Sequence, residues 1–275
     1  MLEIIEDTLL DILKVLPFLF IAFLIIEIIE HKFNKKTEKA IKKAGRFGPI
    51  IGSVLGAVPQ CGFSVLATNL YITRIITLGT LISIYLSTSD EMLLIMIAEK
   101  TDFSKIAQIV LIKIFIGMFF GFIIDLFVQK EEKQNFEICD DEHCHCDEHY
   151  IVSAIKHTLK TSIFILIITF ILNLLFYYVG EDSIKEIFNK SNLFTPFLSG
   201  LIGLIPNCGA SVIITELYIN NVLSIGQSIA GLLTNSGVAL LVLFRSNKNI
   251  KENIKIVGIL YLIGVLSGFI LELIL

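Results

Sequence analysis

Charge is scarce in this sequence. Asp, Glu, Lys and Arg make up 17% of its 275 residues, while 55% are hydrophobic and the mean hydropathy is +0.80. A water-soluble domain usually carries about a quarter charged residues, so the balance excludes one and implies an integral membrane protein. No G-x-x-x-x-G-K-[ST] stretch occurs, so ATP hydrolysis by the chain itself is not expected. No nucleic-acid footprint is visible. No nucleophile with a positioned base can be read, which argues against a membrane enzyme using Cys or His chemistry. Cysteine is sparse and odd in number, five in all. Cys61 and Cys208 lie in apolar runs, while Cys139, Cys144 and Cys146 lie in a polar connector, so no disulfide framework is expected. The first apolar run follows Glu3, Glu6 and Asp7 instead of a cationic start, and it reads as a retained helix with no cleaved leader. The net charge of −4 says little about partners, because in a membrane protein the distribution of Lys and Arg outweighs their sum.

What is present is a series of apolar runs, at 8–29, 48–67, 75–98, 106–128, 153–179, 195–215, 222–244 and 253–275. Most reach the roughly 20 residues that a helix rising 1.5 Å per residue needs to cross the hydrocarbon. The expected fold is an all-α polytopic membrane protein. Lys32, Lys35, Lys36, Lys39, Lys42, Lys43 and Arg46 form the densest basic loop, which positive-inside bias assigns to the cytoplasm.

Within these runs one pattern occurs twice: Pro59-Gln60-Cys61-Gly62-Phe63-Ser64 and Pro206-Asn207-Cys208-Gly209-Ala210-Ser211. Position 59 recurs at 206, an offset of 147, and this offset holds without a gap from Pro49/Pro196 to Leu94/Leu241, with 17 identities in 46 pairs. Gly117, Gly121 and Phe122 fall on Gly264, Gly268 and Phe269 at the same offset. The chain is an internal duplication, divided here into a first repeat at 1–128, a connector at 129–150 and a second repeat at 151–275. Pro and Gly interrupt the run after residue 48, and such breaks survive at membrane depth only where the freed backbone groups face protein or a wet cavity. A broken helix or re-entrant hairpin is expected in each repeat. The two repeats could be parallel or inverted, and counting Lys and Arg in the loops gives nearly the same inside excess for both; inversion is expected, since matched broken segments mark inverted-repeat transporters.

The chemistry-bearing groups follow the same plan. At each motif an amide (Gln60, Asn207), a thiol (Cys61, Cys208) and a hydroxyl (Ser64, Ser211) stand at a helix break beside a glycine, a donor set suited to a small ion or solute. The bland alternative is that each cysteine is a small buried hydrophobe. Ser87-Thr88-Ser89-Asp90-Glu91 interrupts the third run, and Thr88 with Glu91 reads as a capping box opening a second short helix. Ser89, Asp90, Glu91 and Glu216 are second-rank candidates, as oxygen ligands or proton-coupling groups, because acidic side chains in hydrocarbon must be paired, protonated or wet. For Glu216 the alternative is a helix end at the membrane surface. Gly117 and Gly121 read as a close-packing face. In the connector, Cys139, His143, Cys144, His145, Cys146 and His149 alternate with carboxylates, a composition that favours a transition-metal ion, although no four-ligand spacing defines a zinc module. A solvated acidic linker is the alternative there, and His157 nearby reads as an interfacial residue.

The paired Pro-(Gln/Asn)-Cys-Gly-x-Ser motifs, the Ser-Thr-Ser-Asp-Glu break and the His/Cys/acidic connector together resemble the bacterial heavy-metal exporter family related to the arsenical permeases, often labelled manganese transporters. The resemblance covers essentially the whole chain. It implies ten transmembrane segments, five per half, and a metal or metalloid exporter of the cytoplasmic membrane. The expectation is therefore a non-enzymatic carrier needing no cofactor, with a transition-metal ion as substrate or connector ligand and the lipid bilayer as its surroundings. Manganese, zinc and similar ions fit the donor set. A permease for arsenite, an organoarsenical or another small organic solute, and a membrane metal sensor, are the rival readings.

Overall fold

A computed structural model describes residues 47–59, 61–128, 150–179 and 194–274, with scattered positions between 9 and 24. Gln60 and the connector residues Cys139, His143, Cys144, His145, Cys146 and His149 lie outside the described residues, as do the side chains of Cys61, Asp90 and His157. The described residues form helices joined by short turns, without strands.

Five helices make up the first group: α1 (Gly48–Gly56), α2 (Cys61–Ile72), α3 (Leu78–Ser87), α4 (Asp90–Ala98) and α5 (Phe103–Val128). The 30-residue α6 (Tyr150–Val179) follows. The second group is α7 (Thr195–Gly203), α8 (Cys208–Ile219), α9 (Ile225–Thr234), α10 (Ala239–Ser246) and α11 (Ile250–Ile274). The bounds of α7, α8 and α9 are those of α1, α2 and α3 moved by 147 residues.

Local chemistry sets these limits. Pro49 and Pro196 fall in the first turns of α1 and α7, where a missing N–H costs no intrahelical bond. Pro59 and Pro206 sit in the turns that end those helices. Helix α3 begins at Thr77, whose Oγ1 accepts from Thr80 N at 3.1 Å. Helix α9 begins with a full capping box of Ser224 and Gln227. A carboxylate from the long helix of each group supplements these caps. Asp125 of α5 accepts from Gly79 N at 2.9 Å and from Thr77 Oγ1 at 2.7 Å, and Glu272 of α11 accepts from Ser224 Oγ. Anions suit the positive end of a helix dipole.

Helices α3 and α4 form one interrupted span, Leu78–Ala98, and α9 and α10 another, Ile225–Ser246. With Phe103–Phe127 and Ile250–Ile274 these are the four helices among the described residues long and apolar enough to cross a membrane. The first interruption differs from its expected chemistry. Thr88 does not cap α4; its hydroxyl donates back to Ile84 O at 2.8 Å, and Ser89 stands at the N-cap position without a side-chain cap bond. The carbonyls at the end of α3 capture the hydroxyl that a capping box would have used. At the second interruption Asn235 Oδ1 accepts from Gly237 N at 2.9 Å, and Gly237 takes the left-handed φ of 56°.

Side-by-side contacts fix helix direction. Gly48 lies against Thr80 and Gly56 against Ser87, so α1 runs in the same sense as α3. Gly121 meets Gly79 and Gly117 meets Ser83, so α5 runs opposite to α3. The approach is close: a Cβ on Gly79 would stand 2.1 Å from Gly121 O. Helix α2 packs against both α1 and α3. Ser199 against Gly231, Gly203 against Thr234, and Gly268 against Gly226 give the second group the same arrangement.

The two groups interlock reciprocally. Helix α2 packs on α10 and α8 on α4, while α3 packs on α9 and α11, and α9 on α5. Outward faces are apolar: Leu111, Phe115 and Phe119 on α5 and Leu262, Leu266 and Ile270 on α11 are exposed at four-residue spacing. Such stripes on helices of spanning length suit a lipid-facing surface.

Candidate functional site

The buried centre of the molecule is polar. Both interruptions are sealed from solvent, with Thr88, Ser89, Asn235 and Ser236 all buried. Helix α2 starts beside the second interruption, and Ser64 Oγ donates to Ser236 O at 3.4 Å across the boundary between the two groups. Thr68, one turn further on, joins Ser64 O at 2.7 Å to the buried Tyr85 hydroxyl of α3 at 2.6 Å. The hydroxyl of Ser236 is itself buried with no hydrogen-bond partner among the described residues. A chain of hydroxyls and carbonyls thus runs from one group of helices into the other.

Lys113 of α5 enters the same region. Its side chain is 1% exposed, and Nζ donates to Thr88 O, at the first interruption, and to Leu232 O in the last turn of α9 at 2.9 Å. A lysine at the centre of a membrane helix costs about 2.5–3.5 kcal/mol on insertion scales. Here the charge meets the carbonyl ends of two helices, where the last four C=O groups lack intrahelical partners and the dipole favours a cation.

At one end of the bundle a second set of groups joins the halves. Arg74, in the turn after α2, pairs with Glu252 in the first turn of α11 at 2.8 Å (Nη1–Oε1) and 3.1 Å (Nη2–Oε2). Tyr71 OH also donates to Glu252, Asn247 Nδ2 donates to it at 3.3 Å, and the Arg74 guanidinium lies 5.1 Å from the centre of the Tyr71 ring. The positions 147 residues away from Arg74 and Glu252 are Asn221 and Lys105, so the sequence provides no equivalent ion pair at the matching place.

The residues singled out from sequence divide as follows. Ser64 is drawn to the opposite interruption. Asn207 is fully buried and caps α8, its Oδ1 accepting from Gly209 N at 3.3 Å, while Ser211 Oγ donates to Cys208 O at 2.8 Å within its own helix. Cys208 is buried and is not in a disulfide. Ser89 Oγ donates to Ser87 O at 3.0 Å, closing the end of α3. Glu91, in the first turn of α4, and Glu216, in the last turn of α8, are half-buried, and α4 and α8 pack together. Among the described residues no three His, Cys, Asp or Glu side chains gather as a metal cluster.

Lys113, Ser236 and the Arg74–Glu252 pair were not anticipated. A lone lysine inside the apolar run 106–128 was the available signal for the first, and Ser236, paired with Ser89 by the duplication, for the second. Nothing local in the sequence joins Arg74 to Glu252, 178 positions apart.

No curated protein and no solved structure matches the chain at significant similarity. Residues 1–176 and 159–275 match the family described as "Putative, 10TM heavy-metal exporter", which accounts for the full length. An all-helical bundle with bilayer-length apolar helices is what a multi-pass transporter of that description requires, and the chain belongs to this ten-transmembrane heavy-metal exporter family.

Proposed function

We propose that the protein exports a divalent heavy-metal ion, of the class of Mn or Zn, across the cytoplasmic membrane by alternating access of two inverted halves. The observation that carries this reading is the meeting of two interrupted spans, one from each half, in a buried polar centre crossed by the Ser64 to Ser236 and Lys113 to Leu232 hydrogen bonds. Irregular backbone at membrane depth belongs where it is enclosed by protein or lines a cavity, and substrate sites of repeat transporters occupy such breaks.

Direction supports inversion. Helix α11 runs opposite to α9, so its first residues lie at the far end from the start of α9. Glu252, in that first turn, holds Arg74 at the start of α3. The starts of α3 and α9 therefore point to opposite ends. In this arrangement α1 with α2, and α7 with α8, are hairpins that enter and leave on one face. At 9 and 12 residues their arms rise roughly 14 and 18 Å, about half the hydrocarbon thickness. Three full crossings and one hairpin per half accommodate the ten segments of the family description. Arg74, Arg245, Lys248, Lys251 and Lys255 then share the cytoplasmic face with the basic loop at 32–46.

In this reading Gln60, Cys61, Ser64, Asn207, Cys208 and Ser211 supply the central ligands, and Ser89, Asp90, Glu91 and Glu216 the oxygen ligands or coupling groups. Thiolate ligands favour soft and borderline ions, oxygen ligands harder ones such as Mn(II). The connector, with Cys139, His143, Cys144, His145, Cys146 and His149, collects metal on the cytoplasmic side. Flux measured in proteoliposomes across Mn, Zn, Cu(I), Co, Cd and arsenite tests the proposal. One of the metal ions should move, and Cys61→Ser/Cys208→Ser should reduce its rate at least tenfold. Movement of arsenite alone would favour a metalloid permease, and no movement of any of them would overturn the export reading.

A further inference from the structure

We propose that Lys113 is a tethered monovalent cation, its ammonium filling a cation site built from the carbonyl ends of both interrupted spans. The inference deepens the transport reading by naming what holds the two halves together at the centre, and it rests on that reading only for its consequence in the cycle.

Three observations carry it. The ammonium is sealed from solvent, so it is not a surface charge reaching inward. Among its acceptors are two backbone carbonyls, Thr88 O closing α3 and Leu232 O in the last turn of α9, one from each half. These are groups that the helix ends leave without intrahelical partners and that carry the negative ends of two dipoles. Backbone carbonyls converging at broken helices are the usual oxygen ligands for alkali cations in membrane proteins. A lysine placed there supplies the charge covalently, so the halves stay joined without a dissolved ion. The position 147 residues on is Leu260, so no second lysine stands at the matching place. In a cycle that moves the halves against each other, these two hydrogen bonds must break and re-form.

The test uses the purified full-length protein. Lys113→Ala removes the charge and opens room beside the carbonyls; Lys113→Met removes the charge but keeps the bulk of the stem. Thermal unfolding is followed in N-methylglucamine buffer and on titration with Na+, K+, ammonium or methylammonium. Wild type should respond to none of them. Lys113→Ala should unfold at lower temperature and recover on the order of half of the loss or more, saturably, with at least one of these cations, as expected when a ligand binds the folded state alone. Lys113→Met should be destabilised and not rescued. Failure of every cation to raise the Tm of Lys113→Ala more than that of wild type would overturn the proposal, as would a Lys113→Met protein as stable as wild type. Failure of Lys113→Ala to fold in any of these salts would count equally against it. The readout contains no heavy metal, so cation rescue without metal flux would leave the tethered cation standing while the export reading fell.

Discussion

At the scale of single residues the packing makes opposite demands on two glycines. A Cβ on Gly79 would meet Gly121 O at 2.1 Å and Asp125 Oδ1 at 2.4 Å, and neither a backbone carbonyl nor a capping carboxylate can easily withdraw. Gly79→Ala should therefore cost about 1–3 kcal/mol, as overpacking does, and lower the midpoint of thermal unfolding. Gly258, in the middle of α11, has no described residue within 4 Å of the same position. There alanine should stabilise by up to about 1 kcal/mol through helix propensity alone. A thermal shift of the same sign for both would contradict the described packing. Asp125 gives a third case. Its two hydrogen bonds to the start of α3 involve a buried carboxylate, and bonds to charged groups contribute about 1.5–3 kcal/mol. Asp125→Ala should thus be markedly less stable than Asp125→Asn, which keeps an acceptor for Gly79 N. Of these features the sequence makes the Gly117 and Gly121 pair legible, because small residues four apart on a spanning helix announce close approach. It does not reveal the capping role of Asp125, whose partners lie about 46 positions away.

Elements show where local reading stops. The breaks at 87–90 and 234–239 are visible as polar residues inside apolar runs, and the duplicated Pro-x-Cys-Gly pattern marks the starts of α2 and α8. The capping box expected at Thr88 is not formed, because a hydroxyl next to a finished helix can donate to that helix's own last carbonyls. Asn207 is a related case: an amide read as a ligand also serves as a helix cap, two uses that the same chemistry permits. The sense of α1 relative to α3 is set by tertiary contact and has no local signature. One pair of elements carries a prediction. The turn after α2 and the start of α11 are joined by the two-pronged Arg74–Glu252 pair, whose side chains are 28% and 15% exposed. A double-mutant cycle of Arg74→Gln and Glu252→Gln should return a coupling energy of about 1 kcal/mol or more. A value near zero would mean that the pair adds nothing to the contact between these elements.

For the whole molecule, the organising fact is that each group of helices reaches across the other. Helix α2 lies on α10 and α8 on α4, so each Cys-containing helix packs on the helix that follows the opposite interruption. The recurrence of residues at an offset of 147 is open to inspection in the sequence, but the orientation of the two halves is not, because counting Lys and Arg in the loops gives nearly the same inside excess for parallel and inverted halves. The proposed inversion leans on contacts such as Arg74 with Glu252, which become legible only in three dimensions. The most direct test of two oppositely oriented halves closing on one centre is the labelling of exposed turns from each side of the membrane. Lys100, between α4 and α5, and Lys248, between α10 and α11, occupy matching turns and are both exposed. With Lys100→Cys and Lys248→Cys introduced separately and the parent chain as control, a membrane-impermeant thiol reagent added to intact cells should label position 100 and spare position 248. In inside-out vesicles the pattern should reverse. Labelling of both positions from the same side would contradict inversion, and with it the alternating-access account built on it.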